Sequence, residues 1–356
     1  MYIAFYISSH GFGHMTRCLS IIENILSVTD YKIYIACDKP QNGFARSYLE
    51  KYKERIIYRD IKTDVGLVNK NDSLEVDKDK LEEELMNFIK TWDEVVLDEI
   101  KTLKNLKVKS IITDISPIGC LVGKILELET ILISNFTWVE QYEYLNIDKN
   151  IISFFRGAYS YVNKLIKYDL CLPIDSVVCK DIEDVGFICR KINKSKVADI
   201  QSKYGESIFI TCGKSANLKS INIENFNGTI FTTSGIDINN TEGADIIRLP
   251  LDVKDTQNYI AASSLVITKA GWGTIGECLI GHTPMVLIER DSAREDSFSI
   301  DNIKKRKLGI SMKEDTLGTI DILKIKEQLR NNIDYKKLGE YTNDIDKVVH
   351  LIINNK

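Results

Sequence analysis

The feature that most constrains this chain is a rhythm. Short runs of β-branched and aromatic residues, each about one strand long, alternate with stretches of helical periodicity along most of the sequence. "YIAFYIS" (2–8) reads as a strand, and "MTRCLSIIENILSV" (15–28) follows it with Leu19, Ile22, Ile25 and Leu26 on one helical face. "KIYIAC" (32–37), "RIIYRDI" (55–61), "KSIITDI" (109–115) and "TILIS" (130–134) are further strand candidates, with helical patterns at 80–103 and 118–128 between them. Strands that are apolar along nearly their whole length are buried on both faces. Alternated with helices, they form a parallel sheet covered on both sides.

The rhythm then restarts. Strand candidates at 168–174 and 184–190 lead to 207–212, 228–234, 245–250, 265–269, 284–289 and 308–312. This predicts an α/β protein of two doubly wound domains, 1–180 and 185–340. They join through the charged, turn-rich segment near 175–192, and a C-terminal helix of about 341–356 packs back on the first domain. A chain of 356 residues is long enough for two such cores.

Composition narrows the function classes. With 44% apolar and 28% charged residues and a formal charge of −4, the chain is an ordinary globular one with no bias toward nucleic acid. No apolar run approaches the roughly 18–20 residues of a membrane span, and no basic segment precedes an apolar one at the start, so neither a span nor a signal peptide is expected. The eight cysteines include no Cys-x-x-Cys pair, which suggests buried reduced thiols in a cytoplasmic protein. Peripheral membrane contact stays open through the aromatic, basic run 151–168. Its Ile152, Phe155, Tyr159, Val162 and Ile166 spacing reads more simply as the core face of one helix. The run 69–84 reads as a solvated loop entering a long helix, and the pair Asp77 and Asp79 gives only a weak metal-ligand signal.

Three stretches carry candidate chemistry. In "SSHGFGHMTR" (8–17), between the first strand and first helix, a dinucleotide fingerprint would need a third glycine where Thr16 stands. What remains is room for close approach at Gly11 and Gly13, with His10 beside them and His14 at the helix N-terminus, where a neutral imidazole suited to act as a base is favoured. "CGKS" (212–215) has Ile208 where a P-loop needs glycine, so only a glycine turn at Gly213 is left. There is no Gly-x-Ser-x-Gly elbow and no zinc-spaced His/Cys cluster. The third stretch is "LVITKAGWGTIGECLIGHTPMVLIERDSAREDSFSIDN" (265–302). A strand ends at Lys269, and a turn through Gly271 and Gly273 leads to a helix predicted from near Thr274, whose N-terminus favours a phosphate. Glu277 lies one turn along, placed to accept both hydroxyls of a ribose. Arg290, Asp291, Glu295 and Asp296 follow the next strand and suit a polyhydroxylated ligand.

These stretches together resemble the GT-B glycosyltransferases. "GWGTIGECLIGHTPMVLIERD" is similar to their donor-binding segment, including that of the enzyme that adds N-acetylglucosamine to the peptidoglycan lipid precursor. The runs "SHGFGHMTR" (9–17), "ITDISPIGC" (112–120), "ISNFTW" (133–138) and "TKAGWGTIGE" (268–277) resemble, in order, the glycosyltransferase-like N-terminal region of plant L-arabinokinases and its bacterial relatives. The kinase part is missing from this sequence, so sugar kinase activity is not expected.

The resemblance implies two Rossmann-like domains facing across a cleft, acceptor held by the first and nucleotide-sugar by the second. By position His14 matches the candidate base, and Asp114 the carboxylate that orients it. Glu277 matches the ribose-binding acid, Gly213 the second glycine loop, and Glu295 and Asp296 the donor-sugar contacts. Lys269 would add charge at the phosphates, while Asn135 and Trp138 of the "NFTW" loop would contact the acceptor or shape the cleft. The implied activity is metal-independent, inverting transfer from a nucleotide-diphosphate sugar, most simply a uridine one, to an acceptor hydroxyl, without a cofactor. A nucleotide-sugar 2-epimerase and a non-catalytic nucleotide-sugar-binding module of the same fold remain open alternatives.

Overall fold

The computed structural model of the chain describes all residues except 71–74, 213–219, 234–235, 241–242, 251–252, 291 and 355–356. It divides into two compact units. The first comprises residues 1–68, 76–186 and 344–356, the second 69–75 and 187–343.

In the first unit the elements run β1 (Tyr2–Ile7), α1 (Gly13–Val28), β2 (Lys32–Cys37), α2 (Lys39–Tyr48), β3 (Ile56–Asp60), α3 (Lys78–Lys90), α4 (Trp92–Leu103), β4 (Val108–Asp114), α5 (Pro117–Ile125), β5 (Glu129–Ser134), α6 (Trp138–Tyr144), α7 (Lys149–Tyr159), β6 (Lys164–Tyr168) and β7 (Asp181–Val185). The strands form one parallel sheet in the order β3-β2-β1-β4-β5-β6-β7. Its centre is apolar throughout: Ile3 to Ile7 of β1 and Ile33 to Cys37 of β2 are almost wholly removed from water. Each such aliphatic side chain contributes about 1.5–3 kcal/mol to folding.

The second unit runs α8 (Lys194–Tyr204), β8 (Ser207–Thr211), β9 (Ile221–Glu224), β10 (Thr229–Thr232), β11 (Ile238–Asn240), β12 (Asp245–Arg248), α9 (Thr256–Ala262), β13 (Leu265–Lys269), α10 (Trp272–Ile280), β14 (Met285–Glu289), α11 (Arg294–Lys305), β15 (Gly309–Lys313), β16 (Thr319–Asp321), α12 (Ile322–Asn332) and α13 (Tyr335–Leu338). Six strands make a parallel sheet in the order β12-β10-β8-β13-β14-β15, and β11, β9 and β16 form a small separate one. The chain then returns to the first unit as α14 (Ile345–Ile353), burying Val348, Val349 and Ile352. Asn24 of α1 donates to Asp346 at 3.1 Å.

Several elements depart from the sequence reading. The single helix predicted over 80–103 is two, because Thr91 caps the first with its hydroxyl on the Phe88 carbonyl at 2.7 Å and begins the second. The run 151–168 is not one helix: α7 ends at Tyr159 and the chain re-enters the sheet as β6, so Ile166 is a strand residue. The strand predicted at 168–174 is that same β6, set earlier in the chain. It ends where Leu170 takes a left-handed φ of 58°. Asp77, half of the acidic pair, caps α3 by accepting from the Lys80 amide at 3.1 Å.

Candidate functional site

In each main sheet the strand order reverses once, and open α/β sheets bind ligands beyond the carboxyl ends of the two strands at that reversal. In the first unit the pair is β1 and β4, and their register sets Ile7 beside Asp114. The chain leaves β1 through a loop whose tight turn uses Gly11 at φ 64°, and Gln41 holds that loop by donating to the Ser9 and Gly11 carbonyls at 2.7 and 3.0 Å. Helix α1 starts at Gly13 with no side-chain cap, which places His14 in its first turn.

His14 is 8% exposed, and its Nδ1 lies 2.9 Å from Asp114 Oδ1. Its Nε2 has no hydrogen-bond partner among the described residues. Arg17, on the same face of α1, donates from Nε to Asp114 Oδ2 at 2.6 Å, from Nη2 to Asp114 Oδ1, and from Nη1 to Asn135 Oδ1 at 2.7 Å. The Cys18 thiol donates to Asp114 Oδ2 at 3.2 Å. Burial works to raise the Asp114 carboxyl, but the charges of Arg17 and His14 outweigh it and hold the group well below the usual carboxylate range. Ile115, directly after Asp114, takes φ 56°, unusual for a β-branched residue. Its carbonyl accepts from the Tyr159 hydroxyl at 2.6 Å, which helps hold the turn.

A second buried carboxylate stands nearby. Asp64 accepts from the Ser9 amide and from Trp138 Nε1, both at 2.8 Å. Its pKa is raised by burial, partly offset by the Ser8 and Trp138 hydrogen bonds and by His14. The flanking segment is fastened by Thr63 to the Ile7 carbonyl at 2.5 Å and by Tyr142 to the Val65 carbonyl at 2.9 Å. His10 packs edge-on to Trp138, ring centroids 5.7 Å apart, and so close to Gly66 that a Cβ there would stand 1.9 Å from its ring nitrogen. Trp138 and Asn135 are fully buried.

In the second unit the reversal lies between β8 and β13, where Thr211 pairs with Thr268. Helix α10 begins at Trp272, two residues earlier than predicted, with Gly271 as an N-cap that offers no side chain. Its first backbone bond is Ile275 N to Gly271 O at 3.1 Å, so the amides of Gly273 and Thr274 precede the helical ladder and are open to an anion. Trp272 stacks on Phe187 at 5.2 Å and anchors this turn.

Lys269 is half-buried at the end of β13, and its ammonium makes no hydrogen bond or ion pair among the described residues. Burial and then Arg290 push its pKa down. Glu277 Oε1 accepts from Arg190 Nη2 at 2.7 Å, and Arg190 is tied further to the Lys254 carbonyl at 2.6 Å and the Thr256 hydroxyl at 2.8 Å. Arg290 Nη2 lies 2.9 Å from Asp296 Oδ2, both side chains being at least nine-tenths buried.

The structure thus brings together His14, Asp114 and Asn135 in one cluster, joined by Arg17, and His10 with Trp138 around Asp64. In the second unit it brings together Lys269, Gly271, Gly273 and Thr274, with Arg290, Asp296 and Glu295 near Lys269. Asn135 and Trp138 are interior supports, and Asp296 is engaged by Arg290. Gly213 and Asp291 lie outside the described residues. Sequence reasoning missed Arg17, Asp64 and Arg190. Spacing held a signal for the first, since His14, Arg17 and Cys18 stand three and four apart on one helix. No group of three or more His, Cys, Asp or Glu residues suited to a metal ion occurs among the described residues, and no helix among them is long and apolar enough to cross a membrane.

Comparison with known proteins agrees with this architecture. Residues 190–299 match the family model described as the glycosyltransferase family 28 C-terminal domain. The chain is 24% identical over 323 residues to L-arabinokinase of Arabidopsis thaliana, covering 87% of this chain and 30% of that protein's length. Among solved structures, Arabidopsis thaliana UGT89C1 superposes with a TM-score of 0.65 at 12% identity, covering 99% of this chain and 98% of that one. Phytolacca americana UGT2, solved with UDP-2fluoro-glucose and pterostilbene, gives 0.62 at 10% identity over 99% and 95%. Acinetobacter baumannii MurG gives 0.54 at 11% over 99% and 98%. The chain has the two-domain α/β fold of the GT-B glycosyltransferases.

Proposed function

We propose that this protein is an inverting glycosyltransferase that moves a sugar from a uridine-diphosphate sugar to an acceptor hydroxyl without a metal ion. The observation that carries the reading is His14, with Nδ1 on a buried, ionised Asp114 and Nε2 unpartnered. In this mechanism Nε2 takes the proton of the acceptor hydroxyl as its oxygen bonds to the anomeric carbon. The bond from that carbon to the diphosphate oxygen breaks on the opposite face, so the configuration inverts and the nucleoside diphosphate leaves. Asp114 supports the imidazolium formed and keeps the ring oriented.

The second unit would hold the donor. The open amides at the start of α10 and the Lys269 ammonium suit the leaving diphosphate, preorganised charge stabilisation of the kind a metal otherwise provides. Glu277 is held by Arg190 through one oxygen, and its other oxygen is available for a ribose hydroxyl. Arg290 and Asp296 would line the sugar end. The uridine assignment is supported by the similar UGT2 fold, solved with a uridine-diphosphate sugar analogue.

The test is a panel of uridine-diphosphate sugars with hydroxyl acceptors, scoring released nucleotide and the anomeric configuration of the product. Acceptor-dependent release, an inverted product and full activity in chelator are expected. A retained configuration, or conversion of the donor alone to an epimer, would contradict the mechanism.

A further inference from the structure

The Nδ1 atom of His14 has two neighbours with opposite demands. Asp114 Oδ1, 2.9 Å away, needs a hydrogen from it; Arg17 Nη2, 2.8 Å away, can only offer one to it. Both cannot be satisfied at once. If Nδ1 accepts from Arg17, Nε2 carries the ring proton and is no base. If Nδ1–H donates to Asp114, Nε2 keeps its lone pair.

The geometry of the guanidinium decides between them. Arg17 approaches Asp114 as a fork, Nε on Oδ2 and Nη2 on Oδ1, and the cation is attracted more strongly by the two oxygens of an anion than by a single neutral acceptor such as an imidazole nitrogen. Nη1 is held by Asn135, and the guanidinium lies over the Tyr168 ring, 5.3 Å from its centroid. The carboxylate torsion of an aspartate is soft. Alone, Asp114 could turn Oδ1 away from His14; gripped at both oxygens, it cannot. Were Nδ1 to present a lone pair to an oxygen so fixed, two acceptors would face each other at 2.9 Å.

We propose that Arg17 is a positioning residue that fixes Asp114 and thereby holds His14 in the tautomer with its proton on Nδ1. Its importance for turnover rests on the reading of His14 as base, but the tautomer belongs to the protein without substrate. That separates the two claims.

The test is nitrogen-15 NMR of histidine-labelled, ligand-free protein at a pH where imidazoles are neutral. Of the four histidines, His14 is assigned by its loss in His14→Gln. The proton is expected on Nδ1; finding it on Nε2 in the wild type overturns the proposal. In Arg17→Met and Arg17→Lys the signal should become a mixture of tautomers. With it, kcat should drop by roughly tenfold to a hundredfold, part of what a placed base supplies, while KM moves little. Lysine keeps the charge but not the fork, so a wild-type spectrum and kcat in Arg17→Lys would also overturn it. If these variants fail to fold, a proton found on Nε2 in the wild type still overturns the proposal. An Nδ1–H signal in a protein that transfers no sugar would sink the transferase reading and leave the role of Arg17 standing.

Discussion

The two sheet reversals are furnished in opposite ways. Between β1 and β4, side chains do the work: His14, Arg17, Asp114 and Asn135 form a closed hydrogen-bonded cluster, and Asp64 fastens a second one beside it. Between β8 and β13, the backbone does it, through an uncapped helix start beside a lysine whose ammonium makes no hydrogen bond among the described residues. A proton-transfer site needs one atom aimed with a defined protonation state, and only a rigid side-chain network supplies that. An anion site needs several donors over a few ångströms, which the first turn of a helix already provides. The difference predicts that changes at the first reversal alter rate and stability, and that changes at the second alter donor affinity.

The largest break should come from Asp114→Asn. It removes one member of a buried ion pair and leaves Arg17 uncompensated, a loss of about 3–5 kcal/mol. A fall in kcat of at least about a hundredfold should accompany it. The pH dependence has a fixed sign. Because the folded carboxyl lies below its unfolded value, its stabilisation is complete above about pH 4 and is lost as pH falls toward the depressed folded value. Acid titration of unfolding in wild type and variant checks this: the variant should lack that acid limb.

Next comes Glu277. Glu277→Ala should weaken uridine-diphosphate binding by roughly tenfold to a hundredfold and also strand Arg190. Glu277→Gln keeps an acceptor for Arg190, so calorimetry should find weakened binding with most of the melting temperature retained. A smaller effect is expected at Lys269. Since burial and Arg290 lower its pKa, its charged form is unfavourable in the empty protein. Lys269→Met should therefore raise the ligand-free melting temperature while weakening diphosphate binding about threefold to tenfold. The smallest is Lys307→Gly, which relieves a left-handed conformation at an exposed position outside both reversals and should shift thermal unfolding by no more than about 1 kcal/mol, toward stabilisation.

Much of this was legible in the sequence, and the misses have physical causes. Runs such as "YIAFYIS" and "LVITK" announce buried parallel strands because apolar side chains fill consecutive positions rather than alternate ones. Strands β9, β11 and β16 have three or four residues each and leave no periodic trace. The α7–β6 junction was hidden because no glycine or proline marks it, and the apolar spacing of Phe155 and Tyr159 carries on through Val162 and Ile166. At the site, His14 stood out because two glycines lead into it, and Asp114 because it ends a strand. Arg17 did not, since an arginine in the second turn of an amphipathic helix reads as a solvated face; its burial is created by Asp114 and Asn135, which lie 97 and 118 residues away in sequence. Asp64 follows a short strand in a plain "TDVG" and gains its meaning from the Ser9 amide and Trp138, both distant in sequence.

The central claim is that the first reversal supplies the base while the second holds the donor. Its most direct test is His14→Ala, measured for uridine-diphosphate-sugar affinity and for turnover on the same preparation. We expect affinity within about twofold of wild type and turnover reduced by at least about a hundredfold. Turnover that survives intact in a folded, donor-binding variant would contradict the account.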